Sequence, residues 1–198
     1  MKTLIVFSLL LLNINSYSQN ILAEGDVPPK FNLMSVQGDM ISLDDYEDKK
    51  VLLAFFRYAG CPVCNFRMHE LMENYNNLQS QNIEVIAVFE SGNETLKKYI
   101  DDVQVPFPII GDEELKLYKE YKVQKSFGKV LGTLFQKEPK QNMKKGKKLF
   151  ADNKYKKDGS TTRIPAEFLI DTDGKIEKAH YGKFIGDHMP IEALLTNG

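Results

Sequence analysis

Val51-Leu52-Leu53-Ala54-Phe55-Phe56-Arg57-Tyr58-Ala59-Gly60-Cys61-Pro62-Val63-Cys64 contains both cysteines of the chain. Its first six residues are apolar throughout, the composition of a central strand covered on both faces. Pro62 suits the first turn of a helix, and Phe66, Leu71, Tyr75 and Leu78 recur at near-helical spacing over the stretch from Asn65 to Leu78. Two thiols three residues apart at a helix start lie on one face and within disulfide reach. The unpaired N–H groups and partial positive charge of a helix N-terminus favour a thiolate over a thiol. A bridge closing so short a loop restricts the unfolded chain little. The placement therefore points to redox chemistry more than to structural stapling.

Working outward, Ile83 to Phe89 reads as a second strand, and Ser91 with Glu94 as a capping box for a helix from Asn93 to about Asp101. Strand, helix, strand and helix in this order predict a parallel βαβ core with right-handed crossovers. Upstream, Lys30-Phe31-Asn32-Leu33 and Met40-Ile41-Ser42-Leu43 flank Gln37-Gly38-Asp39 as a hairpin. Downstream, Val105 to Ile110 follows, and Asp112 opens a helix through Leu115, Leu117, Tyr118 and Tyr121. From Lys122 to Lys157 the chain is rich in lysine, with only Glu138 and Asp152 as acids. Within it Phe127, Val130, Leu131, Leu134 and Phe135 form an apolar helix face. Such a stretch can meet an anionic lipid surface or an acidic partner; the expectation is a solvated insert whose helix packs on the domain, with no function assigned. Glu167 to Asp171 and Lys175 to His180 then flank Thr172-Asp173-Gly174, the strongest hairpin signal in the chain. Pro190 to Leu195 reads as a last short helix.

The chain has 198 residues, 42% hydrophobic and 27% charged, ordinary values for a globular protein with a sizeable core. Its net charge of -1 gives no global nucleic-acid signal. Lys2 followed by the apolar run from Leu4 to Leu12, with Ser16 and Ser18 before a cleavage point near Gln19, matches a signal peptide over residues 1–18. The run is too short to span a bilayer, and no second run is long enough, so no stable membrane span is expected. The expectation is an exported protein, periplasmic or secreted, with a flexible lead-in over 19–26. A single domain over 27–198 follows, carrying a basic insert at about 122–160.

These elements describe an α/β architecture, the thioredoxin fold, with a mixed central sheet flanked by helices, an N-terminal extension and a lysine-rich insert. The chain resembles the alkyl hydroperoxide reductase/thiol-specific antioxidant (peroxiredoxin-like) branch of the thioredoxin superfamily. The resemblance rests on Val27-Pro28-Pro29-Lys30-Phe31-Asn32-Leu33, on the strand ending Phe55-Phe56-Arg57, and on Ala59-Gly60-Cys61-Pro62-Val63-Cys64. It rests also on Pro165-Ala166-Glu167-Phe168-Leu169-Ile170-Asp171-Thr172-Asp173-Gly174, which looks like the proline–strand–turn element of these proteins. Typical peroxiredoxins keep a threonine three residues before the peroxide-attacking cysteine; here Cys61 stands in that place. The segment looks closer to the peroxiredoxin-like proteins related to selenoprotein U, which also carry a C-x-x-C. Thioredoxin has a tryptophan before its first cysteine and a buried acid on the preceding strand, where this chain offers Gly60 and Phe55.

The resemblance implies a dithiol/disulfide cycle between Cys61 and Cys64. Cys61, at the first residue of the helix and expected to be the more exposed sulfur, is favoured as the attacking thiolate, with Cys64 resolving it; in a strict peroxiredoxin alignment the roles swap. Pro165 resembles the cis-proline that faces the cysteines in thioredoxin folds, which would offer the Ile164 backbone as a short edge for substrate. Arg57 and Arg163 are candidates to stabilise a thiolate or polarise a peroxide, and Arg163 is favoured because it adjoins that loop. His69, His180 and His188 are expected to be solvent-exposed, and no metal or cofactor is assigned. The implied substrate is a peroxide, regenerated by an external thiol reductant such as a thioredoxin-like protein. A periplasmic protein-disulfide reductase and a non-catalytic thioredoxin-fold binding module are the alternatives.

Overall fold

The structure, a computed structural model, describes residues 21–151 and 155–195. The expected signal peptide over 1–18 and its cleavage point near Gln19 lie outside the described residues. A small antiparallel hairpin, β1 (Asn32–Met34) and β2 (Met40–Ser42), precedes the main sheet. The sheet contains β3 (Lys50–Phe55), β4 (Ile83–Phe89), β5 (Ile109–Gly111), β6 (Ala166–Ile170) and β7 (Ile176–Tyr181), in the order β5-β4-β3-β6-β7. Pairing is parallel between β3 and β4 and between β4 and β5, and antiparallel across β3–β6 and β6–β7. This is the mixed sheet the sequence predicts, and the thioredoxin-type arrangement.

Strand alternation divides the core into two layers. Leu52, Ala54 and Phe56 face one layer with Val85, Ala87 and Phe89, whereas Val51, Leu53 and Phe55 face the other with Ile86, Val88 and Phe168. The first layer is covered by α1 (Pro62–Glu73), α2 (Tyr75–Ser80) and α3 (Asn93–Val103), and α4 (Lys116–Glu120) packs on the second. Because β3 has a helix layer on each side, it tolerates no polar residue between Val51 and Phe56.

Several local expectations change. The helix after the cysteines is interrupted at Asn74, whose side chain donates to Glu70 O and caps α1. No capping box forms at Ser91: Gly92 is the N-cap of α3, and Ser91 turns inward to accept from Ala59 N and donate to Asp158. Only Ile109–Gly111 of the segment from Val105 pairs as strand; Pro106 and Pro108 lack the N–H that a ladder needs. Gly174 adopts φ +77° in the β6–β7 turn, the conformation that the Asp-Gly pair signals.

The basic insert adds α5 (Phe127–Thr133) and α6 (Glu138–Leu149), and α7 (Ile191–Leu195) ends the described chain. α6 packs along α1, and Gly146 makes this possible, since a Cβ there would overlap Pro62 O. The apolar face of α5 is not packed on the domain as expected. Phe127, Leu131, Leu134 and Phe135 are all exposed, while the opposite side of the helix is seated through Val130 and Thr133.

Candidate active site

The parallel pairing of β3 and β4 brings their carboxyl ends together, and the chemistry-bearing residues leave the sheet there. Glu90 N donates to Arg57 O at 2.8 Å, tying the two strand ends to each other. Cys61 follows as the N-cap of α1, with its Sγ accepting from Cys64 N at 3.4 Å. Cys64 lies one turn further, and both are free thiols. Contrary to expectation, Cys61 is not the more exposed sulfur: Cys61 is 1% and Cys64 4% exposed. The segment 155–161, the end of the insert, closes over the turn. A Cβ at Gly60 would come within 2.9 Å of Tyr155 O and 3.1 Å of Lys156 O, so only glycine lets this segment pass so close.

Arg57 Nη1 approaches Cys61 Sγ at 3.6 Å, while its Nη2 donates to Thr161 O at 2.7 Å and its Nε to Ser160 O at 3.2 Å. The guanidinium thus joins the covering segment to the sulfur. Burial, the largest influence on Cys61, opposes ionisation. The hydrogen bond from Cys64, the Arg57 charge and the N–H groups of Cys64 and Val63 outweigh it and bring the Cys61 thiol down to about 7. Burial, followed by the hydrogen bond to Cys61 and the nearby Cys61 charge, pushes the Cys64 thiol well up. The two sulfurs are therefore differentiated as a thiolate-forming Cys61 and a protonated Cys64, within reach of each other.

Arg163, favoured from the sequence, points elsewhere. Its Nε pairs with buried Glu90, its Nη1 donates to Val123 O at 2.5 Å, and its guanidinium lies 4.7 Å from the centre of the Tyr118 ring. Glu90 also accepts from Ser160 N, so the pair anchors the covering segment and through it Arg57. The Ile164–Pro165 bond is trans, not cis. Nor is the Ile164 backbone a free edge: its N–H donates to Gln124 O at 3.1 Å, and Arg163 bridges Lys125, because the insert doubles back beside this segment.

A second buried charge cluster lies beneath α1. Glu167, on β6 opposite Ala54, receives Arg67 Nε at 2.9 Å, Met189 N at 2.8 Å and His188 Nδ1 at 2.8 Å. Burial opposes its ionisation, but Arg67 and His188 hold its carboxyl far below the usual carboxylate range. It is a fixed anion rather than a proton carrier. An acid is thus buried under the helix, supplied by the returning strand β6 and not by the strand leading into the cysteines. The histidines are not free surface groups: His188 binds Glu167, His180 binds Asp187 at 3.4 Å, and His69 is half-buried. Sequence reading does not single out Glu90, Arg67 or Glu167, and it expects His188 to be exposed where it is paired with Glu167. Glu90 carried a signal, a charge directly after an all-apolar strand whose neighbour ends in Arg57.

The comparisons with known proteins agree with this geometry. The AhpC/TSA family model matches residues 25–179. Peroxiredoxin Bcp of Escherichia coli is 28% identical over 158 residues, covering 80% of this chain and 85% of that protein. The crystal structure of peroxidoxin BcpB from Mycobacterium tuberculosis superposes with a TM-score of 0.63 at 17% identity, covering 87% of this chain and 94% of that one. The thioredoxin domain of a thiol-disulfide oxidoreductase from Bacteroides vulgatus gives a TM-score of 0.53 at 21% identity, over 80% and 88% of the two chains. These two structural likenesses establish the thioredoxin-like fold, and the family match over most of its length makes this chain a member of the AhpC/TSA family.

Proposed function

We propose that this chain is an exported thiol peroxidase that reduces peroxides through a Cys61/Cys64 dithiol–disulfide cycle. Membership of the AhpC/TSA family makes it a peroxiredoxin-like, thiol-dependent enzyme; the substrate and the order of the sulfurs rest on the site. The carrying observation is a Cys61 thiol at about 7 that is nonetheless buried, with Arg57 beside it and residues 155–161 over it. A small oxidant needs less displacement of residues 155–161 to reach this sulfur than a folded protein presenting a disulfide does. The protein-disulfide reductase alternative is therefore disfavoured.

In the proposed cycle the Cys61 thiolate attacks one peroxide oxygen and the O–O bond breaks. Cys61 becomes a sulfenic acid, and the leaving alkoxide or hydroxide takes a proton to depart as alcohol or water. Arg57 offsets negative charge on the entering oxygens through a charge-assisted hydrogen bond. The Cys64 sulfur then attacks the sulfenic sulfur; its proton and the hydroxyl leave as water, and a Cys61–Cys64 disulfide forms. An external dithiol supplies two electrons through a mixed disulfide and is itself oxidised. Reaching that disulfide requires the covering segment to move, which places the protein–protein encounter after oxidation.

Stopped-flow mixing of the reduced protein with hydrogen peroxide, with trapping of the sulfenic acid, tests the reading. Cys61→Ser is expected to abolish peroxide consumption, and Cys64→Ser to leave a single turnover that accumulates sulfenic acid at Cys61. Sulfenic acid appearing first at Cys64 would reverse the roles, and inert peroxide beside rapid reduction of a protein disulfide would replace the reading with the reductase.

A further inference from the structure

The outward face of the insert is unusual for a short helix on a folded domain. α5 is held by its less apolar side: Thr133 Oγ1 accepts from Ile185 N at 3.0 Å, Lys129 Nζ donates to Gly182 O at 2.9 Å, and Val130 packs on the core. Phe127, Leu131 and Leu134, spaced four and three residues apart, therefore project away from the protein, and Phe135 continues the patch. Phe127 is 68% and Phe135 86% exposed. The helix is amphipathic in the inverted sense, since burying its apolar face against its own domain is what a surface helix ordinarily does.

α6 begins directly beyond Phe135 and is coated with charge. Its buried residues are Pro139 and Gly146, while Lys137, Lys140, Lys144, Lys147 and Lys148 share the opposite, exposed side. Among the described residues none of these five lysines pairs with a carboxylate, and between Lys122 and Lys157 the sequence places only Glu138 and Asp152 as acids. In a chain whose net charge is -1, α6 carries five lysines (Lys140, Lys144, Lys145, Lys147 and Lys148) against one acid, Glu138.

We propose that α5, the turn through Phe135 and the lysine face of α6 dock on the surface of an anionic lipid bilayer. Phe and Leu side chains enter the interface, and the lysines lie among the headgroups. The charge is complementary to a plane of anions, not to one carboxylate: the lysines are spread along a helix and do not converge on a pocket. A second copy of this chain is a poor occupant, because two such faces repel. No helix among the described residues is long and apolar enough to cross a membrane, so this is contact with a surface and not a span.

The test is hydrogen exchange at residues 127–135 and lysine acylation along α6, in the full chain, with vesicles of phosphatidylcholine alone or mixed with phosphatidylglycerol. The readout is local to the insert, so anchoring by residues 1–18 does not produce it. Protection is expected with the mixed vesicles alone and should fade as salt is raised. Lys140→Gln and Lys144→Gln should each weaken partition by about fivefold, and Phe135→Ser should remove protection of residues 127–135 while leaving the Cys61 thiol titration unchanged. The proposal is overturned by absence of protection on anionic vesicles or by equal protection on neutral ones. Protection that grows with protein concentration without lipid would assign the face to self-assembly, and equal protection by polyglutamate would assign it to an acidic polypeptide; either result overturns it.

Discussion

Replacing Arg57 with glutamine tests the electrostatics of the site most directly. The guanidinium lies 3.6 Å from Cys61 Sγ in a buried site. At that separation a full positive charge stabilises a thiolate by about 4–5 kcal/mol if the effective dielectric constant is near 20, and by less where the groups relax. Cys61 sits about two units below the ordinary thiol value of 9.0 although burial opposes its ionisation; that net stabilisation is about 3 kcal/mol. The hydrogen bonds from Cys64 and Val63 remain in Arg57→Gln, so the thiol is expected to rise toward its ordinary value. At neutral pH the thiolate fraction then falls from about one half toward about one in a hundred, at most roughly fiftyfold. The more basic thiolate is intrinsically more nucleophilic, which recovers part of the loss. The rate with peroxide should therefore drop severalfold to about tenfold near pH 7, and a deficit that persists above pH 9, where both thiols are ionised, reads the charge that Arg57 no longer offsets on the peroxide oxygens. Stopped-flow rates across pH, with thiolate absorbance followed in parallel, read both quantities. A titration midpoint that stays near 7 in Arg57→Gln would show that the guanidinium does not set the thiolate, and would leave Arg57 the tasks of holding Ser160 O and Thr161 O and of offsetting charge on the peroxide oxygens.

Gly146→Ala should force α6 away from Pro62 O, costing about 1–3 kcal/mol of stability in a urea titration. It should also speed alkylation of the cysteines, and unchanged alkylation would mean that the insert does not shield them. Glu167→Gln leaves Arg67 buried beside a neutral partner, and a loss of about 3–5 kcal/mol is expected from thermal or urea unfolding. Because the Glu167 pKa is depressed on folding, its contribution is fully present above the ordinary carboxylate value and is lost as pH falls below about 4.5. The urea midpoint of the parent should thus fall more steeply with acid than that of Glu167→Gln; parallel curves would contradict the assignment. Glu90→Gln should loosen the covering segment and slow the peroxide reaction without abolishing it, since Glu90 acts through Ser160, Arg163 and Arg57 and does not contact the sulfur.

The sequence by itself carried the sheet and the position of the cysteines. An all-apolar Val51–Phe56 reads as a strand covered twice, Asp173-Gly174 favours a tight turn between two strand-like runs, and Pro62 after Cys61 suits a helix start at the thiols. Each of these is a local rule, set by periodicity or by the conformational range of one residue. The partners of the charged side chains were decided by tertiary structure alone. Sequence favours Arg163 over Arg57 because it adjoins the Pro165 loop; the parallel register of β3 and β4 puts Glu90 next to the Arg57 backbone, and Glu90 pairs with Arg163, leaving Arg57 for Cys61. Glu167 reads as one polar residue in an apolar strand until Arg67 and His188 meet on its carboxylate. The direction in which α5 faces was likewise unreadable, because periodicity fixes which residues share a face and not which face the domain receives. Thr133 meeting Ile185 N decided that, and left the phenylalanines outside. Local sequence fixes backbone geometry because its forces act within a turn or a pleat, whereas electrostatic partnership and facing depend on segments a hundred residues apart that meet only once the sheet is built.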